Sequence, residues 1–354
     1  MLIIYTQPNS GLHESEETHM TEETPTVDKS YLPGDIPFPE EAVGNDATIQ
    51  EMPEDVYHRI QAFSSSYLRS QVDATPHHAL TSVTQTDAMR VGIAFESLFE
   101  DAVHAIRENE DSFWSLYHEH RFLTSAPTFM RRCAVKPLDL NKGTGARARA
   151  EEWSQQHAGK SLITNVQSLV ALTMVKSALS NKGWRRHLLS KVIGEWQQAI
   201  FWTEDGLPMK ALLDYDYPNS DGARVGVDLK TVNGKISRGH SHDFSAKAAN
   251  LRYDVQAAHY MTALARIHGE PHVAPFVWLV VEQTRPYGTA CYTASQEMCR
   301  SGFRQREHAI RRLKRYMDTH DRLPEFPAYS TDDVLLHPPS WHTYRTEGLT
   351  AGGI

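Results

Sequence analysis

Two aspartates and a lysine are the residues of this 354-residue sequence whose types and spacing suit a reaction. Asp214 closes the strand-like run MKALLDYDY, and the next such run, RVGVDLKTV, carries Asp228-Leu229-Lys230. Strand side chains alternate, so Asp228 and Lys230 project from one face, about 7 Å apart along the chain. The turn residues PNSDG between the runs predict a hairpin, and pairing its strands can set Asp214 beside Asp228. Two carboxylates and an ammonium then converge on one point. Hard oxygen ligands of this kind suit Mg²⁺ or Mn²⁺, which keep several waters and bind substrate phosphate. The lysine would orient the attacking water or stabilise charge developing on that phosphate.

An isolated Asp-x-Lys is more often an ordinary salt bridge on a half-exposed sheet. Three features shift the balance here. Val225, Val227 and Leu229 alternate with the acid and the base, so both polar groups share one face of an otherwise apolar strand. Gln256 and Tyr260 lie at i, i+4 on the helix predicted over Asp254–Ile267, which presents an amide and a phenol together. Glu96 supplies a third carboxylate from the helix predicted over 87–108. There Val91, Ala94, Phe95, Leu98, Phe99, Ala102, Val103 and Ile106 form an apolar stripe with Glu96 beside it.

The elements that must hold these groups are of both kinds. EWQQAIFWT, MKALLDYDY, RVGVDLKTV, PFVWLVVEQ and TACYTAS read as strands, and Trp196, Trp202 and Trp278 in them as core residues. PEDVYHRI predicts a short helix, FSSSYLRSQ a serine-capped second one, 161–190 a single helix ending near Gly183, and Gly302–Thr319 a basic one. Residues 136–160 read as a polar, basic linker running into a helix. We divide the chain into an acidic, disordered or loosely docked arm (1–48), one catalytic domain (49–325) and a C-terminal extension (326–354). The net charge of −8 belongs to the arm. Residues 1–60 hold thirteen acidic and two basic groups, leaving 34 basic and 31 acidic in the rest, a net of +3. The acidic total therefore does not exclude a nucleic-acid partner. No apolar run approaches the roughly 20 residues of a membrane span, and Met1–Tyr5 is too short for a signal peptide. Cys133, Cys291 and Cys299 offer neither a disulfide framework nor a CxxC knuckle, which suits a reducing cytoplasm.

This combination resembles the RecB-like branch of the PD-(D/E)xK nuclease superfamily, and within it the phage and prophage exonuclease VIII (RecE-type) nuclease domain. FSSSYLRSQVDATPHHAL is similar to the serine-rich opening of that domain, and VGIAFESLFED to its G-x-A-[HE] helix. GKSLIT is similar to the segment before its bridging helix, RYDVQAAHYMTAL to its Q-x-x-x-Y helix, and VVEQTRPYGTACY to its closing hairpin. Together these cover roughly residues 50–320 in the family's order. The resemblance implies an α/β, restriction-endonuclease-like core with a central mixed sheet flanked by helices. It implies Asp214, Asp228 and Lys230 as catalytic, and Glu96, Asp214, Asp228 and the Leu229 carbonyl as ligands of Mg²⁺ or a substituting Mn²⁺. Gln256 and Tyr260 would contact DNA phosphate or brace the site. The implied activity is 5′→3′ resection of linear double-stranded DNA ends, leaving 3′ single strands for a RecT-type annealing partner in the cytoplasm of a phage- or prophage-carrying bacterium. Ring-forming relatives make a homo-oligomer compatible with it. Two positions depart from the pattern: Glu96 stands where many relatives carry histidine, and Leu213 where the superfamily name has proline.

Other candidates carry less. His240-x-His242 with Asp243 sits in the Gly/Ser/Lys-rich stretch NGKISRGHSHDFSAK, which reads as a loop over the substrate with Lys235, Arg238, Lys247 and Arg252 available to phosphates. The basic run REHAIRRLKRYMD would track a nucleic-acid backbone or form a solvated helix face. Glu195 would add an acid near the site or be structural. P-loop, GxSxG and HExxH patterns are absent, which removes motor ATPases, hydrolase-fold esterases and zincins. A flap or single-strand nuclease of the same superfamily and a non-catalytic DNA-end-binding protein remain as alternatives. The scattered cysteines do not supply the iron–sulfur ligands usual in the former.

Overall fold

The hairpin expected from PNSDG forms, and it is the middle of a six-stranded sheet. In the computed structural model the described residues run from 27 to 325, apart from 43–46, 82–83, 141, 191, 237–241 and 270–272, with residue 335 beyond them. Along the chain come β1 (Thr48–Gln50), α1 (Glu54–Arg59), α2 (Ser65–Gln71), α3 (Pro76–Leu80), α4 (Asp87–His118), α5 (Phe122–Ser125) and α6 (Pro127–Arg132). Next are β2 (Cys133–Lys136), α7 (Ala146–Gln156), β3 (Ser161–Thr164), α8 (Asn165–Ser180) and α9 (Lys182–Leu188). The second half holds β4 (Glu195–Glu204), β5 (Leu207–Pro218), β6 (Arg224–Val232), α10 (His242–Asn250), α11 (Tyr253–His268), β7 (Val277–Glu282), β8 (Thr289–Thr293) and α12 (Gln296–Thr319).

The main sheet has the order β1-β4-β5-β6-β7-β8, antiparallel throughout except for the parallel pair β6–β7, which α10 and α11 connect. Alternation in the strands feeds two cores. Val227, Leu229, Val277, Leu279 and Val281 pack with Phe95, Phe99 and Leu172 of α4 and α8 on one face. Trp202, Met209, Trp278 and Val280 pack with Val255, Leu264 and Ile310 of α11 and α12 on the other. This is the mixed sheet between helical layers that the sequence implied. α12 lies against α11 where Gly302 meets Asp254: a Cβ there would stand 2.0 Å from the Asp254 carbonyl oxygen. The Asp254 carboxylate accepts from Ser301 (2.8 Å) and Gln305 (2.6 Å) of α12, fixing the same crossing.

Several boundaries differ from the expectation, each for a local reason. The helix expected over 87–108 continues to His118, and the predicted end is where Asn109 leaves helical geometry (φ −162°, ψ 104°). The single helix expected over 161–190 is a strand and two helices. Thr164 and Gln167 form a reciprocal capping box that starts α8, and Asn181 accepts from Gly183 and Trp184 to start α9. α12 begins at Gln296, with Ser295 capping it, six residues before the expected start. Residues 27–42 of the acidic arm are docked. Tyr31 is buried, its hydroxyl donates to the His320 carbonyl, Asp35 pairs with Arg59, and the Ala42 carbonyl accepts from Thr203. Its few aromatic and apolar residues fall against helix ends and an edge strand, which composition alone could not reveal. Among the described residues no helix is long and apolar enough to cross a membrane.

Candidate active site

β5 and β6 part company at the carboxylates. Their ladder runs from Pro218↔Arg224 to Tyr215↔Val227 and stops, which makes Asp214 and Asp228 the next opposed positions. Beyond that point β6 continues only with β7, while β5 continues with β4. The connection between α1 and α2 takes the vacated edge of β5: Phe63 donates to the Pro208 carbonyl (2.8 Å) and accepts from Lys210 (3.0 Å). Asp214 therefore lies inside its strand, not at the strand end as expected, and at the crotch of a fork. The Leu229 amide has lost its ladder partner and donates to Asp214 Oδ2 at 2.8 Å. A buried amide needs an acceptor, and here the acid supplies it.

The three central residues assemble as the sequence implied. Lys230 Nζ lies 2.5 Å from Asp228 Oδ2 and 5.0 Å from the Tyr253 ring centroid. Gln256 Nε2 donates to Asp228 Oδ1 at 2.8 Å, so α11 holds the acid from the far side. Burial pushes the Asp214 carboxyl well above the carboxylate range, and the neighbouring Asp228 and Glu96 push it further. Burial works against the Lys230 ammonium, but Asp228, Tyr253 and Asp214 outweigh it and raise its pKa. The fork thus concentrates negative charge around one cation.

Glu96 is placed differently. Its carboxylate lies 3.7 Å from the Arg132 guanidinium, which lies 2.6 Å from Glu54. Burial raises the Glu96 carboxyl to about 7, against the pull of Arg132 and Lys230. Among the described residues no three His, Cys, Asp or Glu side chains form a group able to hold a metal ion. Of the expected shell of Glu96, Asp214, Asp228 and the Leu229 carbonyl, the two aspartates meet, and Glu96 lies near enough to push the Asp214 pKa up while it also pairs with Arg132. Two carboxylates in mutual repulsion, Asp228 buried and Asp214 half-buried, fit a hard divalent cation, since Mg²⁺ is commonly held by one or two carboxylates plus water and substrate.

Arg132, Glu54 and Tyr253 belong to this site and escaped the sequence reading. Asp101, one turn beyond Glu96 on α4, accepts from the Thr128 and Phe129 amides and caps α6. That cap aims Arg132, at the other end of α6, back toward Glu96. Buried Lys210 donates to the Tyr57, His58 and Ile60 carbonyls at the end of α1, fixing the helix that carries Glu54. Asp101 in FESLFEDAV was the readable signal, as a carboxylate inside an apolar stripe.

The residues expected to touch DNA separate into groups. Gln256 is buried and donates to Asp228, an arrangement that braces the acid. Tyr260 is buried one turn on, where its hydroxyl feels Asp228. Arg252 pairs with Asp73 and donates to Gln305. Lys235 is exposed and Lys247 half-buried, while Arg238, His240 and the side chains of His242 and Asp243 lie outside the described residues. Glu195 is exposed opposite Asp216 and stands off the fork.

Residues 67–325 match the profile of the PDDEXK-like domain of unknown function (DUF3799). The chain belongs to this family. The match includes Asp214, Asp228 and Lys230 and places this PDDEXK-like protein in the PD-(D/E)xK nuclease superfamily. Among solved structures it is similar to an exonuclease candidate from Eubacterium rectale, with 15% identity over 86% of this chain and 99% of that one, at a TM-score of 0.47. A Vibrio cholerae protein aligns over 78% of this chain and 59% of its own at 10% identity and a TM-score of 0.20. No curated protein matches the sequence.

Proposed function

We propose that this PDDEXK-like protein is a Mg²⁺-dependent exodeoxyribonuclease, with Mn²⁺ as a substitute. It resects linear double-stranded DNA ends 5′→3′ and leaves 3′ single strands for phage-type recombination. The observation that carries the reading is the fork itself: Asp214 opposite Asp228, with Lys230 paired to Asp228 on an otherwise apolar strand. A divalent ion there would supply Lewis-acid stabilisation of the phosphate and a more acidic water. Asp214 and Asp228 would hold it, with the Leu229 carbonyl and Glu96 as further oxygens. Lys230, kept charged by Asp228, would orient water or stabilise the phosphate as negative charge builds. Gln256 and Tyr253 keep Asp228 and Lys230 in place. A RecT-type annealing protein is the proposed partner, the cytoplasm of the bacterial host the proposed setting, and a homo-oligomer is compatible with both.

End-labelled linear duplex and covalently closed duplex, each with Mg²⁺ or EDTA, test this directly. Metal-dependent release of nucleotides from the linear form alone is expected, and digestion of the closed form would sink the exonuclease assignment. Which labelled end is lost first reads the polarity.

Gln256 offers a milder check on the brace. In Gln256→Ala the Asp228 carboxylate loses one fixed donor while Lys230 stays, so kcat should fall about tenfold with KM for DNA nearly unchanged. Equal losses in binding and turnover would instead return Gln256 to a DNA-contacting role.

A further inference from the structure

α11 separates the fork from a basic depression on its other side. Tyr253 and Gln256 face Lys230 and Asp228, whereas Asp254 faces α12 and accepts from Ser301 and Gln305. Glu297, Arg300, Ser301, Arg304 and Gln305 line a depression of about 410 Å³ at that crossing. Ser301 and Gln305 are occupied in holding α11, which leaves the two arginines as the groups free to bind. Arg300 donates only to neighbouring Gln296, and Arg304 has no ion-pair partner among the described residues; both are exposed. Exposed Arg311 and Arg315 continue the same face, since positions 300, 304, 311 and 315 fall within about 60° of the helix circumference over about 22 Å. Arg311 is paired with Glu307, whereas Arg300 and Arg304 form no ion pair among the described residues.

We propose that this depression is a backbone-phosphate subsite for an unpaired DNA strand passing the catalytic fork; the choice of substrate rests on the nuclease reading above. Guanidinium groups recognise phosphate oxygens with paired N–H donors and release counterions on binding. Phe303, 42% exposed beside the arginines, offers a face on which an unpaired base can stack, which favours single-stranded over duplex DNA. Glu297 stands in the same depression and opposes phosphate.

The test is binding of a labelled single-stranded 20-mer and its duplex in Ca²⁺, across a salt series. A parallel assay follows Mg²⁺-dependent hydrolysis of thymidine 5′-(p-nitrophenyl phosphate), which is too small to reach α12. For Arg300→Ala with Arg304→Ala we expect an affinity for the single strand about ten- to thirtyfold weaker at 0.1 M salt. The slope of log K against log salt should be smaller by about 1.4. Glu297→Gln should tighten binding, and Phe303→Ala should weaken the single strand more than the duplex. Small-substrate turnover and Tm should stay at wild-type values, because these side chains are exposed. Wild-type affinity and slope in the double variant, or no binding of the 20-mer by the wild type, would overturn the subsite. Loss of strand binding in the double variant, with no hydrolysis of either substrate by the wild type, would keep the subsite and remove the nuclease reading.

Discussion

With Asp228 replaced by asparagine, Mg²⁺-dependent release of nucleotides from linear duplex is expected to fall by about 10³-fold or more. Asparagine keeps the shape and still meets Gln256, but it cannot neutralise a divalent ion or hold the Lys230 ammonium by charge. Lys230→Ala should cost a similar factor by a different route: it leaves the buried Asp228 carboxylate without its cation. DNA binding in Ca²⁺ should change only a few-fold in the lysine variant. Retention of full metal-dependent digestion by either variant would end the proposed mechanism.

The same charges make a stability prediction of opposite sign. Asp214 is half-buried beside Asp228, and its folded-state pKa lies well above the ordinary 3.8. Above pH 3.8 the unfolded chain releases this proton while the folded chain retains it. Stability is therefore lost as pH rises from 3.8 toward the folded-state value, and it stays lost above it. Asp214→Asn removes that penalty. In EDTA at neutral pH its Tm should rise by about 2–4 °C, the equivalent of roughly 1 kcal/mol, while activity disappears. Mg²⁺ should raise the Tm of the wild type and do less for the variant. A lower Tm for Asp214→Asn in EDTA would overturn the repulsion argument, because the asparagine oxygen can still accept from the Leu229 amide.

What the sequence allowed to be read follows the reach of each interaction. Asp214, Asp228 and Lys230 sit on two strands joined by one turn, so period-two alternation and PNSDG suffice to bring them together. Gln256 and Tyr260 were half-legible: the helix and its i, i+4 pair were visible, but which way the amide points depends on packing against β6. Arg132 is a different case. It reaches Glu54 and Glu96 from 78 and 36 residues away, and only because Asp101 caps a six-residue helix whose existence no periodicity announces. The fork was equally hidden, since the strand pattern of MKALLDYDY runs through Asp214 without interruption while its partner changes from β6 to the α1–α2 connection. Glu96 shows the limit of residue type as evidence: the acid is where the resemblance put it, and a half-buried arginine pairs with it.

Replacing Arg306 with methionine should be the most destabilising single change away from the fork, at about 3–5 kcal/mol. Arg306 is buried on α12 and forms a two-pronged pair with Glu204 at the end of β4, one prong at 2.8 Å. Its Nε also donates to His259 Nδ1 at 3.2 Å, and His259 Nε2 meets the Lys210 carbonyl at 3.0 Å. Burial opposes the Glu204 charge, but Arg306 holds its carboxyl down to about 2. Burial first, then the same arginine, pushes the His259 imidazole down to about 3. Both depressed values act in one direction. The unfolded chain takes up protons near 6.5 and 4.5 that the folded chain refuses until about 3 and 2, so stability is intact above about pH 6.5 and drains away across that interval. In Arg306→Met the half-buried Glu204 carboxylate is left without its cation, which accounts for the loss at pH 7. Much of it should return in the double variant Glu204→Leu/Arg306→Met, where no unpaired charge remains. Urea midpoints for the two single variants and the double variant give the coupling energy, and a strictly additive cycle would refute the pairing argument. Because α12 also carries Ser301 and Gln305 against Asp254, at the start of the helix that holds Asp228, the Arg306 variant should lose turnover together with stability. The double variant should recover both.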